Sequence, residues 1–156
     1  MEFEDLNTLN ISQLLKLNAQ TIEELIHRGV IRTRNNPVAD YTEWLVSKKL
    51  NLALVENSHE GFDAVDEDGI RYQIKSRRHS KTRASNQLGE IRNLHDCPFD
   101  NLIAVIFEWD YSVLFAVKIP VGELEKHARF SAHQNGHILN LRGNWFEEYL
   151  ITNRLK

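Results

Sequence analysis

The chain has 156 residues, a formal net charge of −3 and a single cysteine, Cys97. That length suits one domain burying about two thirds of its unfolded surface, and the lone cysteine excludes an internal disulfide and any cysteine-based zinc cluster, which fits a cytoplasmic protein with Cys97 a buried or idle thiol. The acidic start Met-Glu-Phe-Glu-Asp lacks a signal-peptide pattern and the longest strongly apolar run, residues 102–107, is too short to span a bilayer, so no membrane partner is expected.

Residues 11–28 read as a helix, with Leu14, Leu17, Ile22, Leu25 and Ile26 apolar and Gly29 as its stop. Its thin apolar stripe can pack on the body or on a second subunit. Asn36 then offers an N-cap and Pro37 a first-turn residue for a helix reaching about Leu50. Ala39, Glu43, Val46 and Leu50 share one face of it, and Glu43 interrupts the apolar stripe. A carboxylate buried there alone would carry a heavy desolvation cost. Glu43 is therefore expected at the stripe's edge, paired with a cation such as Arg32 or Arg34, or aimed at the hairpin that follows.

A short strand over residues 52–56 precedes hairpin strands at 61–66 and 70–76, then a basic loop and a short helix at 85–94. Strands at 102–107 and 113–119, joined through Trp109-Asp110, lead to a small helix at 122–129, a strand at 137–141 and a last helix from Trp145. This order predicts an α/β fold, a three-layer α/β/α sandwich around a mixed sheet. Residues 1–35 form an N-terminal helical extension of that single domain, 36–119 its core and 120–156 a C-terminal part of helices and a strand.

The hairpin carries the chemistry. A two-residue loop at Asp68-Gly69 would set Asp63 against Ile74 and mix charge with core on both faces. A three-residue loop of Glu67, Asp68 and Gly69, with the glycine left-handed, sets Asp63 against Gln73 and Phe62 against Ile74. Phe62, Ala64, Tyr72 and Ile74 then form an apolar face, and Asp63, Gln73 and Lys75 gather on the other with Val65. Arg71, Lys75, Arg77, Arg78, Lys81 and Arg83 follow one another with no acid between them. Such a run can bind phosphate on an otherwise acidic protein, or be no more than a solvated loop. Tyr41 and Trp44 read as core aromatics with a capacity to stack on bases. His59 reads as a loop histidine, and His133 with His137 is too loose a pair for zinc. Nothing in the chain matches a Gly-rich phosphate loop or a serine-nucleophile elbow.

Glu43, Asp63 and Gln73-Ile-Lys75, in that order over helix, strands, helix and strand, resemble the PD-(D/E)xK nuclease superfamily with its restriction-endonuclease-like fold, in the QxK variant. The strings Asn-Pro-Val-Ala-Asp-Tyr-Thr-Glu-Trp-Leu-Val from Asn36, and Tyr-Gln-Ile-Lys-Ser-Arg-Arg from Tyr72, are similar to small bacterial proteins of unassigned function within it. The resemblance spans residues 36–107. It implies a Mg²⁺-dependent nuclease, with Mn²⁺ as substitute, hydrolysing phosphodiesters of DNA in restriction, defence or repair. Asp63 would be the central metal ligand, helped by the Gln73 amide oxygen and the Ile74 carbonyl, while Glu43 would ligand a second ion or hold a water. Lys75 would orient the attacking water, and Arg77, Arg78, Lys81 and Arg83, with Arg32 and Arg34, would hold phosphates. The partner is nucleic acid, and a homodimer or larger complex would supply selectivity. The residues alone also allow an Asp63–Lys75 ion pair with Gln73 a surface amide, which corresponds to an inactive nuclease-fold module that binds nucleic acid or a protein.

Overall fold

Asn10 and Gln13 start the first helix by capping each other: Asn10 Oδ1 accepts from the Gln13 N–H (3.0 Å) and Gln13 Oε1 from the Asn10 N–H (2.9 Å). Helix α1 (Ile11–His27) then runs to Gly29, whose φ of +67° lets the chain turn away. The computed structural model describes residues 5–56 and 61–156, so His59 lies outside the described residues. Two compact units make up the chain, Met1–Tyr41 and Thr42–Lys156.

In the first unit α1 buries none of its residues. Arg34 forks onto Glu23 of α1, Nε to Oε1 at 2.6 Å and Nη2 to Oε2 at 2.9 Å. Asp40 Oδ2 accepts from the N–H groups of Arg32 and Thr33, both at 2.8 Å, and so folds that loop onto the start of the next helix. That helix, α2 (Val38–Leu50), follows Asn36, whose Oδ1 accepts from the Val38 N–H (3.2 Å). Its buried residues are Thr42, Leu45 and Val46, whereas Ala39 is exposed. The expected stripe is therefore displaced: Leu45 belongs to the buried face, and Glu43, half-buried, flanks it at the edge.

The second unit holds a five-stranded mixed sheet in chain order, β1 (Ala53–Leu54), β2 (Ala64–Val65), β3 (Arg71–Arg78), β4 (Asn101–Phe107) and β5 (Val113–Pro120), with β3 and β4 parallel and the other neighbours antiparallel. Ala64 pairs with Tyr72 and Val65 with Arg71. This is the register of the three-residue turn, and Gly69 has the required left-handed φ of +79°. The ladder stops earlier than expected. Asp63 N–H donates to Tyr72 O (2.8 Å), one step out of line with the pairing of Ala64, so the alternation ends there. Phe62 accordingly packs against a buried cluster that includes Leu102, Ala104 and Ile106 and leaves out Ala64, Tyr72 and Ile74. Leu102 and Ala104 lie on the sheet face of Gln73 and Lys75, because Gln73 pairs with Leu102 and Lys75 with Ala104.

The crossover from β3 to β4 lacks the helix expected over residues 85–94 and has a single 3₁₀ turn, Leu94–Asp96. Leu88, Ile91 and Leu94 recur at helical spacing and are all buried, yet at the first two the main chain pairs with a distant segment: Leu88 N–H donates to Leu139 O (2.9 Å), and Ile91 exchanges 2.8 Å bonds with His137. Strand hydrogen bonds to a segment almost fifty residues later have displaced the local ladder. Beyond β5 come α3 (Val121–His127) and a separate hairpin of β6 (Arg129–Ser131) with β7 (Gly136–Ile138). In place of one helix from Trp145 there is a single 3₁₀ turn, Glu147–Tyr149, and a short α4 (Thr152–Leu155). The Ile151 N–H is spent on Ala116 O (2.8 Å), which interrupts any helix at that point. Cys97 is exposed, not buried. No described helix is long and apolar enough to cross a membrane.

Tyr72 ties the hairpin's turn to its strands. It is 4 % exposed, and its hydroxyl donates to Asp66 Oδ2 (2.8 Å). Burial, reinforced by the Asp66 carboxylate, pushes the phenol from its ordinary 10 up to about 12. A folded value above the unfolded one means the contribution is full below about pH 10 and is lost as pH rises toward about 12. Tyr72→Phe should therefore cost about 1 kcal/mol near neutrality and lessen the alkaline loss of stability. Urea unfolding at about pH 7 and about pH 11 checks both expectations.

Candidate functional site

The end of β2 creates the site. In a continued ladder the Ile74 N–H would bond the Phe62 carbonyl; here Asp63 Oδ2 accepts it instead, at 2.6 Å, and also accepts from Gln73 Nε2 at 3.2 Å. The structure thus brings Asp63, Gln73 and the Ile74 main chain together at the open end of the hairpin. Lys75, two residues along β3, points to the Gln73 side and is half-buried. No hydrogen bond or ion pair joins Lys75 to Asp63. The direct ion pair that the sequence allows is absent from this arrangement.

Glu90 was not singled out by sequence, where it falls inside the expected helix 85–94. Its carboxyl is held below the usual carboxylate range, first by its own backbone N–H, with Lys75 and Arg92 contributing against burial. Lys75 therefore has an acid within electrostatic reach, supplied by the extended crossover. Gly136 fixes this placement: a Cβ there would meet Glu90 Cβ at 3.0 Å and Ile91 O at 3.1 Å. No local signal marks Glu90, because its approach depends on the pairing of Ile91 with His137.

Strand alternation divides the basic run. Arg77 is exposed and pairs with Ile106 on the Lys75 side of the sheet. Arg78 faces the other way: its Nη1 donates to Trp109 O (2.6 Å) and its guanidinium lies 4.5 Å from the Tyr111 ring centre. Lys81 sits 4.2 Å over the Trp109 ring. Arg83 is exposed, with its backbone N–H held by Ser80 Oγ (3.0 Å). Arg71 is consumed by Asp100, Nε to Oδ2 at 3.1 Å and Nη2 to Oδ1 at 3.0 Å, which clasps the start of β3 to the residue before β4. Arg32 and Arg34 belong to the first unit, and Arg34 is engaged with Glu23 there.

The donors available to a cation at the hairpin end are hard oxygens: the Asp63 carboxylate, the Gln73 amide oxygen and the Ile74 carbonyl. They suit Mg²⁺ better than zinc. Gln73 presents Nε2 to Asp63, so its amide must turn over before its oxygen can share a cation with that carboxylate. The described residues contain no group of three or more His, Cys, Asp or Glu placed to hold a metal ion. A pocket of about 230 Å³ opens elsewhere, lined by Asp66, Tyr72, Lys118 and Arg154 among others. Tyr72 puts it on the sheet face opposite Gln73 and Lys75.

No protein-family model matches the sequence, and no curated protein does.

Asp63 has a structural duty separable from any chemistry. Asp63→Ala removes the acceptor of the Ile74 N–H and is expected to destabilise the second unit by about 1–2 kcal/mol, whereas Asp63→Asn keeps an oxygen there and should lose less than half as much. Thermal melts of the two variants beside wild type test this ordering.

Proposed function

We propose that residues 42–156 form a metal-dependent nuclease, built as a restriction-endonuclease-like α/β/α sandwich and acting on phosphodiester bonds of DNA. The observation that carries this reading is the Asp63 carboxylate pinned by Ile74 N–H beside Gln73, with Lys75 on the same side and not neutralised by Asp63. Mg²⁺, or Mn²⁺ in its place, would be held by Asp63, the Gln73 oxygen and the Ile74 carbonyl, and would neutralise phosphate charge and activate a water. Lys75 donates hydrogen bonds to the attacking water and to the phosphate oxygens as charge develops. Glu43 supplies a second carboxylate from the edge of the α2 buried face. Arg77, on the Lys75 side, and Arg83 hold flanking phosphates without reading sequence.

Gln73 acts as the gate of this arrangement. With its amide N–H on Asp63 it stabilises the carboxylate in the absence of a cation. Turned over, its oxygen faces a carboxylate oxygen, a repulsive pairing that only a cation between them relieves. The same hydrogen bond favours a second reading, a nuclease-fold module that binds nucleic acid or a protein without cleaving, since it ties the Asp63 carboxylate to a neutral amide where the usual pattern has a second acid.

Plasmid and single-strand cleavage with Mg²⁺ or Mn²⁺ separates the readings. Asp63→Asn and Lys75→Ala should each lower the rate by at least about 100-fold; equal cleavage by wild type and both variants would sink the site. No cleavage by wild type, with salt-dependent DNA binding retained, would establish the binding module instead. In either case Arg77→Ala should reduce the salt slope of binding by about 1.

A further inference from the structure

We propose that the turn between β4 and β5 and the basic loop after β3 form a stacking platform for an unpaired nucleic-acid strand: a base lies on the Trp109 ring, and Lys81 and Arg83 hold the phosphates beside it. This rests on the reading of the chain as a nucleic-acid protein and narrows its substrate to strands with unpaired bases. Trp109 is 47 % exposed. It takes no part in the main buried cluster, so the core does not account for an indole at this turn.

The turn holds its rings in place. Asp110 Oδ1 accepts from the Ser112 N–H (3.0 Å) and from the Ser112 hydroxyl (2.7 Å), and the Glu108 N–H donates to Ser112 O (2.9 Å). Tyr111 adopts a φ of +69°, a left-handed conformation that is sterically costly for a bulky residue. Arg78 bridges this turn to the end of β3, with Nη1 on Trp109 O at 2.6 Å and its guanidinium 4.5 Å from the Tyr111 ring centre. The basic loop is tied in the same way: the Ser80 N–H donates to Arg83 O and the Arg83 N–H to Ser80 Oγ, both at 3.0 Å. Lys81, within that loop, sits 4.2 Å over the Trp109 ring. Residues 77–83 contain no acid, and Arg83 is exposed.

These groups match the two parts of a single strand. Every base offers a flat π face to an aromatic ring, and every phosphate a charge to a lysine or arginine. In a duplex the base faces are stacked on their neighbours and cannot reach Trp109. An acidic peptide would use the cations and leave the ring uncovered. Lys81 does not block the ring, because an exposed cation–π contact is worth only about two- to five-fold in an equilibrium constant, and a base stacked on an aromatic side chain about 5- to 150-fold. The base displaces Lys81, whose ammonium then meets the neighbouring phosphate.

Fluorescence anisotropy of a labelled oligothymidine and of a duplex of equal length, with EDTA in place of metal, measures binding without cleavage. Wild type should prefer the single strand, and Trp109→Ala should lower that preference by about 5- to 150-fold. Trp109→Phe, which keeps a flat ring, should recover most of it; Trp109→Leu, apolar but without a ring, should not. Lys81→Ala should reduce the salt slope of single-strand binding by about 0.7. Wild type that fails to prefer the single strand overturns the proposal, as does Trp109→Ala with the wild-type preference or Trp109→Leu that matches Trp109→Phe. Cleavage dependent on Asp63 and Lys75 would then still support the nuclease. A preference that depends on Trp109, in a chain that cleaves nothing, would leave the platform standing and the nuclease reading overturned.

Discussion

One carboxylate sets the register on which the sheet depends. Asp66 Oδ1 accepts from the N–H groups of Asp68 (3.0 Å) and Ile70 (2.9 Å), while Oδ2 takes the Tyr72 hydroxyl. Burial alone would raise its pKa; the three donors outweigh it and hold the carboxyl below the usual range. This turn, with Gly69 left-handed, admits three residues and no fewer. A slip by one would turn Gln73 and Lys75 toward the Tyr72 side and bring Tyr72 and Ile74 round to the other. Because β3 is the middle strand, the slip would propagate into the parallel pairing with β4.

What could be read from the chain follows from how far each interaction reaches. The hairpin was legible because turn chemistry and alternation both lie within fifteen residues of one another, and α1, α2, β4 and β5 were legible from apolar periodicity over long runs. Residues 85–94 were not. Leu88, Ile91 and Leu94 satisfy a helical spacing, but the backbone partners that decide their conformation, His137 and Leu139, stand in another part of the chain. The C-terminal helix failed for the same reason, since Ala116 takes the Ile151 N–H. Phe62 was misplaced on a smaller scale. Its side follows from where the ladder ends, and a side chain, Asp63, ends it.

The candidate site shows the same division. Sequence order put Asp63, Gln73 and Lys75 on one side of a hairpin, because strand geometry requires it once the register is known. It could not reveal Glu90 within electrostatic reach of Lys75, nor say which cations are already spent. Arg71 is neutralised by Asp100 and Arg78 is turned onto Tyr111, so a run that looks like one patch is a structural clasp, an aromatic contact and a smaller residue of accessible charge.

That dispersal bears on how such a protein could hold a polyanion. Counterion release scales with the phosphates contacted, and on the Lys75 side of β3 the accessible basic residues of the strand reduce to Lys75 and Arg77 within a chain of net charge −3. One copy should therefore grip nucleic acid weakly, and the Glu90 carboxylate, within electrostatic reach of Lys75, weakens it further.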